Sequence, residues 1–518
     1  TFAGRVNSAE IRENRGLNIQ EFRTDFAYRE KQAFLRNLYL QTPKTLLRDE
    51  IVLNYNSIEQ LSENPGAVKI SANIRNSKIG FSDLLTFAPD LRNTAPFSQY
   101  PNAILNLHTR MRGTLNDLHI QTLQLSGLDQ MKVNASGKIR NAMNPDHLSY
   151  DLNIRELSSA SKTIYNLVPK GTVPSNITLP SFFTLSGNAK GTTKQLNTEL
   201  KLISTLGNAT VDAAVDMRRK NQELYDVKAN LQNLQIGKII QNKDLGIVTA
   251  QIAAKGRSFD LNQANADIKG IVKEADYNGY RYRNMNLDGS INRGAYRLNL
   301  DSRDPNANLK LAAMGIYNEN NPSVKINGDI VRLDLNKLGF YQDPMIIAGK
   351  LDGDFTNLNP DFLNGELRLQ NFAISDTKDV FPLQEVYLNA VSTDSLNQLT
   401  LQSQIADIEL SGKYKMTQIF GALQETLNQY YQFQKPGTLQ KTDPNQHFTF
   451  NASIKNDDLI RRFAPDLKSF ETITLNGNFD ADSRRLEVNG SIPQLLYGEN
   501  TVEDASLLIT NENQALQL

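Results

Sequence analysis

The feature that most constrains this chain is a strict alternation of apolar and polar residues, repeated over most of its length. In "LHIQTLQLSGLDQMKVNASGKI", Leu118, Ile120, Leu123 and Leu125 precede a turn near Gly127–Asp129, and Met131, Val133 and Ala135 resume the pattern. In "QLNTELKLISTLGNATVDAAVDM", Leu200 and Leu202 come before a turn near Gly207, and Ala209, Val211, Ala213 and Val215 follow it. Leu298 and Leu300 lead through Asp304-Pro305-Asn306 to Leu309, Leu311 and Ala313, and Leu399 and Leu401 lead to Ile408 and Leu410. Side chains along a strand point alternately to opposite faces, so period two predicts strands with one apolar and one wet face. Connections this short join antiparallel neighbours, because a parallel crossover needs a dozen residues or more. Asn, Asp, Gly and Ser in the connections supply turn conformations at low steric cost.

A second motif recurs between the hairpins: an alternating strand, a polar break, then about two turns of apolar residues at helical spacing. Copies begin at Val68, Ser149, Asp226, Ser323 and His447. The pentapeptide FAPDL closes two of them, at Phe87–Leu91 and Phe463–Leu467. Leu84 with Phe87, Ile460 with Phe463 and Ile164 with Leu167 each place two apolar residues on one helix face, and proline follows two positions later. Proline cannot continue a helix and holds its predecessor extended, so each pair is expected to be a packing tooth ending a short helix.

These starts divide the chain into an N-terminal β segment, 1–66, and five degenerate repeats, 67–148, 149–224, 225–321, 322–440 and 441–518, the last read as incomplete. One longer helix is expected over 417–435, with Phe420, Leu423, Leu427 and Tyr431 along one stripe. It lacks the Lys/Arg-rich polar face of a membrane-surface helix, so packing against the sheet is the expectation.

Composition narrows the function classes. At 518 residues the chain exceeds the size of a single core. Lys plus Arg and Asp plus Glu number 56 each, which argues against a nucleic-acid binder whose affinity needs a basic excess. No apolar run reaches the roughly 18 residues of a spanning helix. Cysteine is absent, which fits many compartments, a bacterial periplasm among them. His108, His119, His147 and His447 are scattered without metal-ligand spacing, and no phosphate loop or nucleophile elbow appears. The expectation is a protein without catalytic residues, cofactor or metal. The start at Thr1 and the strand-like end "SLLITNENQALQL" suggest a piece of something longer, lacking any signal or anchor in front.

Strand signals every 8–12 residues imply about 40 strands, and about 4.8 Å between strands would make one sheet roughly 150–200 Å long. Stacked closed sandwiches should show Pro/Gly/Ser-rich linkers between domains, and none is found. The expected fold is therefore mainly β: an elongated, curled antiparallel sheet with an apolar groove. Candidate groove-lining residues are Leu123, Leu125, Val133, Leu200, Leu202, Val211, Leu298, Leu300, Leu309, Leu311, Leu399, Leu401, Ile408 and Leu410. The same positions would serve as ordinary core beneath a helix or a second sheet. An apolar strip of that length would be an aggregation hazard unless it held something apolar, and acyl chains gain about 0.8 kcal/mol per buried CH₂ without any hydrogen-bond partner.

The succession "GTLNDLHIQTLQLSG…KVNASGKIRN", the unit "FSDLLTFAPDL" and the later "GKYKMTQIFGALQETLNQYYQF" resemble the TamB and AsmA-like family of Gram-negative envelope proteins, in its Bacteroidota form. The resemblance covers the whole chain but rests on pattern and degenerate phrases. It implies a curled β-sheet with an apolar groove in the periplasm, anchored to the inner membrane by an N-terminal helix, and phospholipid passage to the outer membrane. It also implies an Omp85-type outer-membrane barrel as partner. The anchor and the barrel-contacting C-terminal region are missing from this sequence, which puts that pairing in doubt. A scaffold for barrel assembly by strand addition is the rival expectation.

Overall fold

The computed structural model describes residues 1–12, 18–142, 144, 146–168, 171–428, 442–511 and 517, without the side chains of Ser62 and Phe87. The expected fold class holds: the protein is mainly β, and among the described residues 29 strands belong to one antiparallel sheet. The sheet is not closed into a barrel, since β1 (Phe2–Arg12) pairs with β2 (Asn18–Tyr28) and no pairing among the described residues joins it to the last strand. Spacing predicted about 40 strands. There are fewer because many run to 12 or 13 residues, against a typical length of about 5–6.

The chain divides into two compact units, Thr1–Phe259 with Gly270–Tyr277, and Asp260–Lys269 with Asn278–Leu518. In the first, β1 and β2 are followed by β3 (Gln32–Gln41), β4 (Leu46–Asn54), β5 (Lys69–Gly80), β6 (Ile104–Thr114), β7 (Asp117–Gly127), β8 (Met131–Arg140) and β9 (Ser149–Ala160). Next come β10 (Phe182–Thr192), β11 (Gln195–Ser204), β12 (Gly207–Asp216), β13 (Leu224–Gln235), β14 (Leu245–Arg257) and part of β15 (Asn265–Tyr277). Helix α1 (Gln60–Glu63) precedes β5, while α2 (Phe81–Phe87), α3 (Ser161–Leu167) and α4 (Ile236–Ile240) follow β5, β9 and β13.

The second unit runs through β16 (Tyr280–Asn292), β17 (Ala295–Arg303), β18 (Ala307–Ile316), β19 (Ser323–Asp334), β20 (Ile346–Asn357), β21 (Asn364–Ser375) and β22 (Val380–Ser392). It continues with β23 (Asn397–Ser403), β24 (Ala406–Lys413), β25 (His447–Ile454), β26 (Leu467–Phe470), β27 (Ile473–Asp480), β28 (Arg485–Tyr497) and β29 (Asn500–Thr510). Helix α5 (Ile419–Leu427) follows β24, and α6 (Asp458–Phe463) follows β25.

The two FAPDL copies end their helices in the same way. Ala88 has φ −131° and ψ 75° and donates its N–H to Leu84 O, and Ala464 has φ −128° and ψ 78° and donates to Ile460 O. Both have left the helical region, which the ring of a following proline disfavours. The expected packing teeth need correction in α2 and α6. The buried residues of α2 are Phe81 and Leu85, with Leu84 half-buried, while the Phe87 side chain lies outside the description. In α6 Leu459 is buried, Ile460 is half-buried, and Phe463 is 54% exposed. Phe81 and Leu459 anchor the first turns of α2 and α6, while in α3 the Leu167 tooth before proline does pack, against Leu128 and Met131. The motif beginning at Ser323 forms no helix: beyond β19 the Asp334 carboxylate accepts the Lys337 N–H at 3.1 Å, and turns run to Gly339. Side-chain capture of the backbone here competes with helix formation.

Bulges break the register at recurring asparagines. Asn37, Asn76 and Asn233 have φ of 52°, 46° and 50°, at shifts between Leu35 and Leu38, Ile74 and Ser77, and Leu231 and Leu234. Asparagine enters the left-handed region more readily than other side-chain-bearing residues. Each bulge consumes an extra residue, increases local twist, and keeps the flanking residues on one face.

Candidate functional site: the apolar sheet face

The ladder register turns alternation into continuous rows. In the first unit, Gly4, Phe26, Leu35, Ile51, Ala72, Met111 and Ile120 face one another in succession from β1 to β7. The row continues through Gly137, Leu152, Ala189, Thr198, Ala213 and Val227 to Ala254 on β14. Its one polar member is silenced, because the Thr198 hydroxyl donates to Asn188 O at 2.7 Å. In the second unit, Gly289, Leu298, Ala313, Ile326, Gly353, Leu367 and Leu388 form such a row from β16 to β22. Leu401, Ile408, Ala452, Leu475, Gly490 and Leu507 extend it to β29.

The opposite face is wet. Arg112, His119, Lys138, Asp151 and Lys190 follow one another there, with Lys190 and Asp151 paired at 2.9 Å. Lys325, Asp354, Glu366, Asn389 and Thr400 do the same in the second unit, with Lys325 and Asp354 at 2.7 Å. A one-residue slip would exchange these faces, so the register is strongly specified.

All fourteen sequence candidates lie on the apolar face, in pairs or single steps of these ladders. Leu125 faces Val133, and Leu123 faces Ala135. Leu200 faces Val211, and Leu202 faces Ala209. Leu157 and Leu185 connect the two groups, since Val133, Leu157, Leu185 and Leu202 stand side by side. Leu300 faces Leu311, Leu298 faces Ala313, and Leu309 stands between Ser302 and Ile330. Leu399 faces Leu410, and Leu401 faces Ile408. Every one of the fourteen is partly buried, neither sunk in a core nor fully exposed.

Several clusters of buried residues lie where an insert covers the face, while Ile120, Ala213 and Ala313 are buried outside them. Ile236 and Ile239 of α4 pack on Leu231, Leu234, Val248 and Ala250. Phe81 of α2 and Leu167 of α3 close over Leu128 and Met131, with Phe97 and Tyr100 beside them. Leu459 of α6 joins Ile330, Phe372 and Leu383, and the Arg462 guanidinium pairs with the Asp376 carboxylate at 2.7 Å. The Asp376 carboxyl is held at about 2, first by the Asp379 and Lys378 N–H groups it accepts and further by Arg462.

Helix α5 packs against the sheet as expected, but with a different stripe. Ile419, Ala422, Leu423 and Leu427 face Tyr414, Phe448, Phe479 and Leu486, whereas Phe420 points away, 76% exposed. The small Ala422 and Thr426 set the buried face because they allow the helix to approach the strands closely. Tyr431 and the rest of the 417–435 expectation beyond Asn428 lie outside the described residues.

Two devices on this face escaped the sequence reading. Aromatic side chains stand directly across from glycine: Tyr150 and Gly191, Tyr225 and Gly256, Tyr296 and Gly315, Phe450 and Gly477. A Cβ on Gly315 would stand 3.0 Å from the Tyr296 hydroxyl oxygen. Glycine also permits close backbone approach, as at Gly187, where φ is 133° and a Cβ would meet Glu199 O at 1.9 Å. The signal, aromatic and glycine a strand apart, is readable only once register is known.

Among the described residues no group of three or more His, Asp or Glu side chains is placed to hold a metal ion, and no helix is long and apolar enough to cross a membrane. No protein-family model matches the chain, and no curated protein matches it.

Proposed function

We propose that the apolar face of each unit binds lipid acyl chains, and that the protein is a lipid-transfer bridge carrying phospholipid between the membranes of a Gram-negative envelope. The carrying observation is that the rows are uninterrupted while large members such as Leu152, Leu367, Leu388 and Leu401 remain partly exposed, although Ile120 is buried. A ligand for such a face needs apolar bulk and no hydrogen-bond partner, which describes hydrocarbon. Transfer by sliding needs no nucleophile or base, so no residue is assigned a chemical step. Periplasmic location, an inner-membrane anchor and an outer-membrane barrel partner belong to this proposal through the family resemblance.

The test is mass spectrometry of the purified chain with its copurifying lipids. Phospholipid should be present, and Leu309→Asp together with Leu401→Asp should remove most of it, since a buried unpaired carboxylate is costly in hydrocarbon. Unchanged lipid content in that variant would refute the reading. The rival reading, a scaffold that templates client strands, makes a different prediction for the same sample. Copurifying polypeptide in place of lipid would support it.

A further inference from the structure

The two rims of the first unit differ. At the rim where β5, β9 and β13 end, the inserts form a connected belt. The Asn166 amide donates to the Tyr100 hydroxyl at 3.1 Å, and the Thr163 hydroxyl donates to the Asp129 carboxylate at 3.1 Å, tying α3 to the segment after α2 and to the β7–β8 turn. Thr178 N–H donates to Ile239 O at 2.7 Å, and the Gln241 amide donates to Ser175 O at 2.9 Å, tying the segment after α3 to α4. The belt lays apolar side chains over the strand ends.

At the opposite rim α1 and the turn after it precede β5, with Tyr55 and Val68 buried, and at β9 and β13 the apolar face ends in tyrosines. Tyr150 and Tyr225 lie at the starts of β9 and β13, and their hydroxyls point to the rim carbonyls of Thr192 at 3.4 Å and Ser258 at 3.5 Å. Burial raises both phenol pKa values above the ordinary one. A tyrosine with its ring on hydrocarbon and its hydroxyl at the rim marks a boundary between apolar and wet surroundings. Tyr296 repeats this in the second unit, donating to Ser323 O at 3.1 Å.

Resting on the lipid reading, we infer that an amphiphile bound to the first unit lies along the strands, polar head at the tyrosine rim and chain end under the insert belt. The dimensions agree. Leu196, near the tyrosine rim, and Leu202, near the belt, lie six residues apart on one face of β11, about 20 Å at the rise of a strand. One acyl layer is half of a roughly 30 Å hydrocarbon core, about 15 Å. A head group at the belt would meet buried hydrocarbon, whereas at the other rim it meets water and tyrosine hydroxyls.

The chain has no cysteine of its own, so single thiols report position cleanly. Leu196→Cys, Leu202→Cys and the wet-face control Lys201→Cys would each be mixed with two phosphatidylethanolamine probes. One carries a thiol-reactive group on the head and the other carries it at the end of an acyl chain. Far-UV circular dichroism checks that each variant is folded, and adducts are counted by mass spectrometry relative to the Lys201→Cys control. The head probe should label Leu196→Cys at least about fivefold more than Leu202→Cys, and the tail probe should show the reverse. Equal or inverted ratios would overturn the orientation while leaving lipid binding intact. Labelling no greater than the control at both positions, by both probes, would overturn the lipid reading itself.

Discussion

The β24–β29 region and the β6–β12 region carry the same alternation but differ in what lies over it. In the first, α5 covers Phe448, Phe479 and Leu486, and Phe479 is 1% exposed. In the second, Leu123 and Leu200 sit in equally regular ladders and stay half-buried, while Leu125 and Leu202 beside them pack against the clusters under α2, α3 and α4. Strand sequence therefore decides which face a side chain takes, and an insert laid over that face adds to its burial. Under α5 that face is core, and around Leu123 and Leu200 the same kind of face stays half-buried.

Truncation should sharpen this contrast most. Phe479→Ala should destabilise its region by about 3–5 kcal/mol, whereas Leu200→Ala, whose site is already partly wet, should cost roughly 1 kcal/mol. Hydrogen exchange of the local strand amides reads both, and equal losses would break the comparison. The bulges come next. Asn233→Ala should cost about 1–2 kcal/mol because alanine resists the left-handed region, and Asn233→Gly should be nearly neutral. If the two variants melt alike, backbone conformation is not what selects asparagine there.

The α6 lid supplies a pH-dependent case. The Asp376 carboxyl is depressed to about 2, so its contribution is complete above the ordinary carboxylate pKa of about 4 and fades as pH falls toward 2. Protection of α6 amides should drop across that window, and Asp376→Asn should show the lower protection already at neutral pH with no further fall. The smallest effect belongs to the helix stop. Pro89→Ala should cost under about 1 kcal/mol, through the unfolded chain and the freedom returned to Ala88, as a small shift in the thermal midpoint.

Much of the fold was legible because period two directly encodes two faces. Leu298, Leu300, Leu309 and Leu311 could be placed on one face from spacing alone, and the Asp304 turn from its composition. Helix stops at Ala88 and Ala464 were legible because proline acts on its neighbour. What spacing could not supply was anything set by register across strands. The tyrosine–glycine pairs, the bulge asparagines and the link from Gln241 back to Ser175 join residues distant in sequence. Phe420 was misplaced because a helical stripe names apolar positions, while close packing prefers the small side chains of Ala422 and Thr426.

The central claim is that hydrocarbon enters the half-buried apolar face. The most direct measurement is a polarity-sensitive fluorophore on Leu200→Cys, with Lys201→Cys as its wet-face neighbour, titrated with phosphatidylethanolamine and phosphatidylglycerol vesicles. The account predicts a saturable blue shift at 200 and none at 201. No shift at 200, or equal shifts at both, would contradict it.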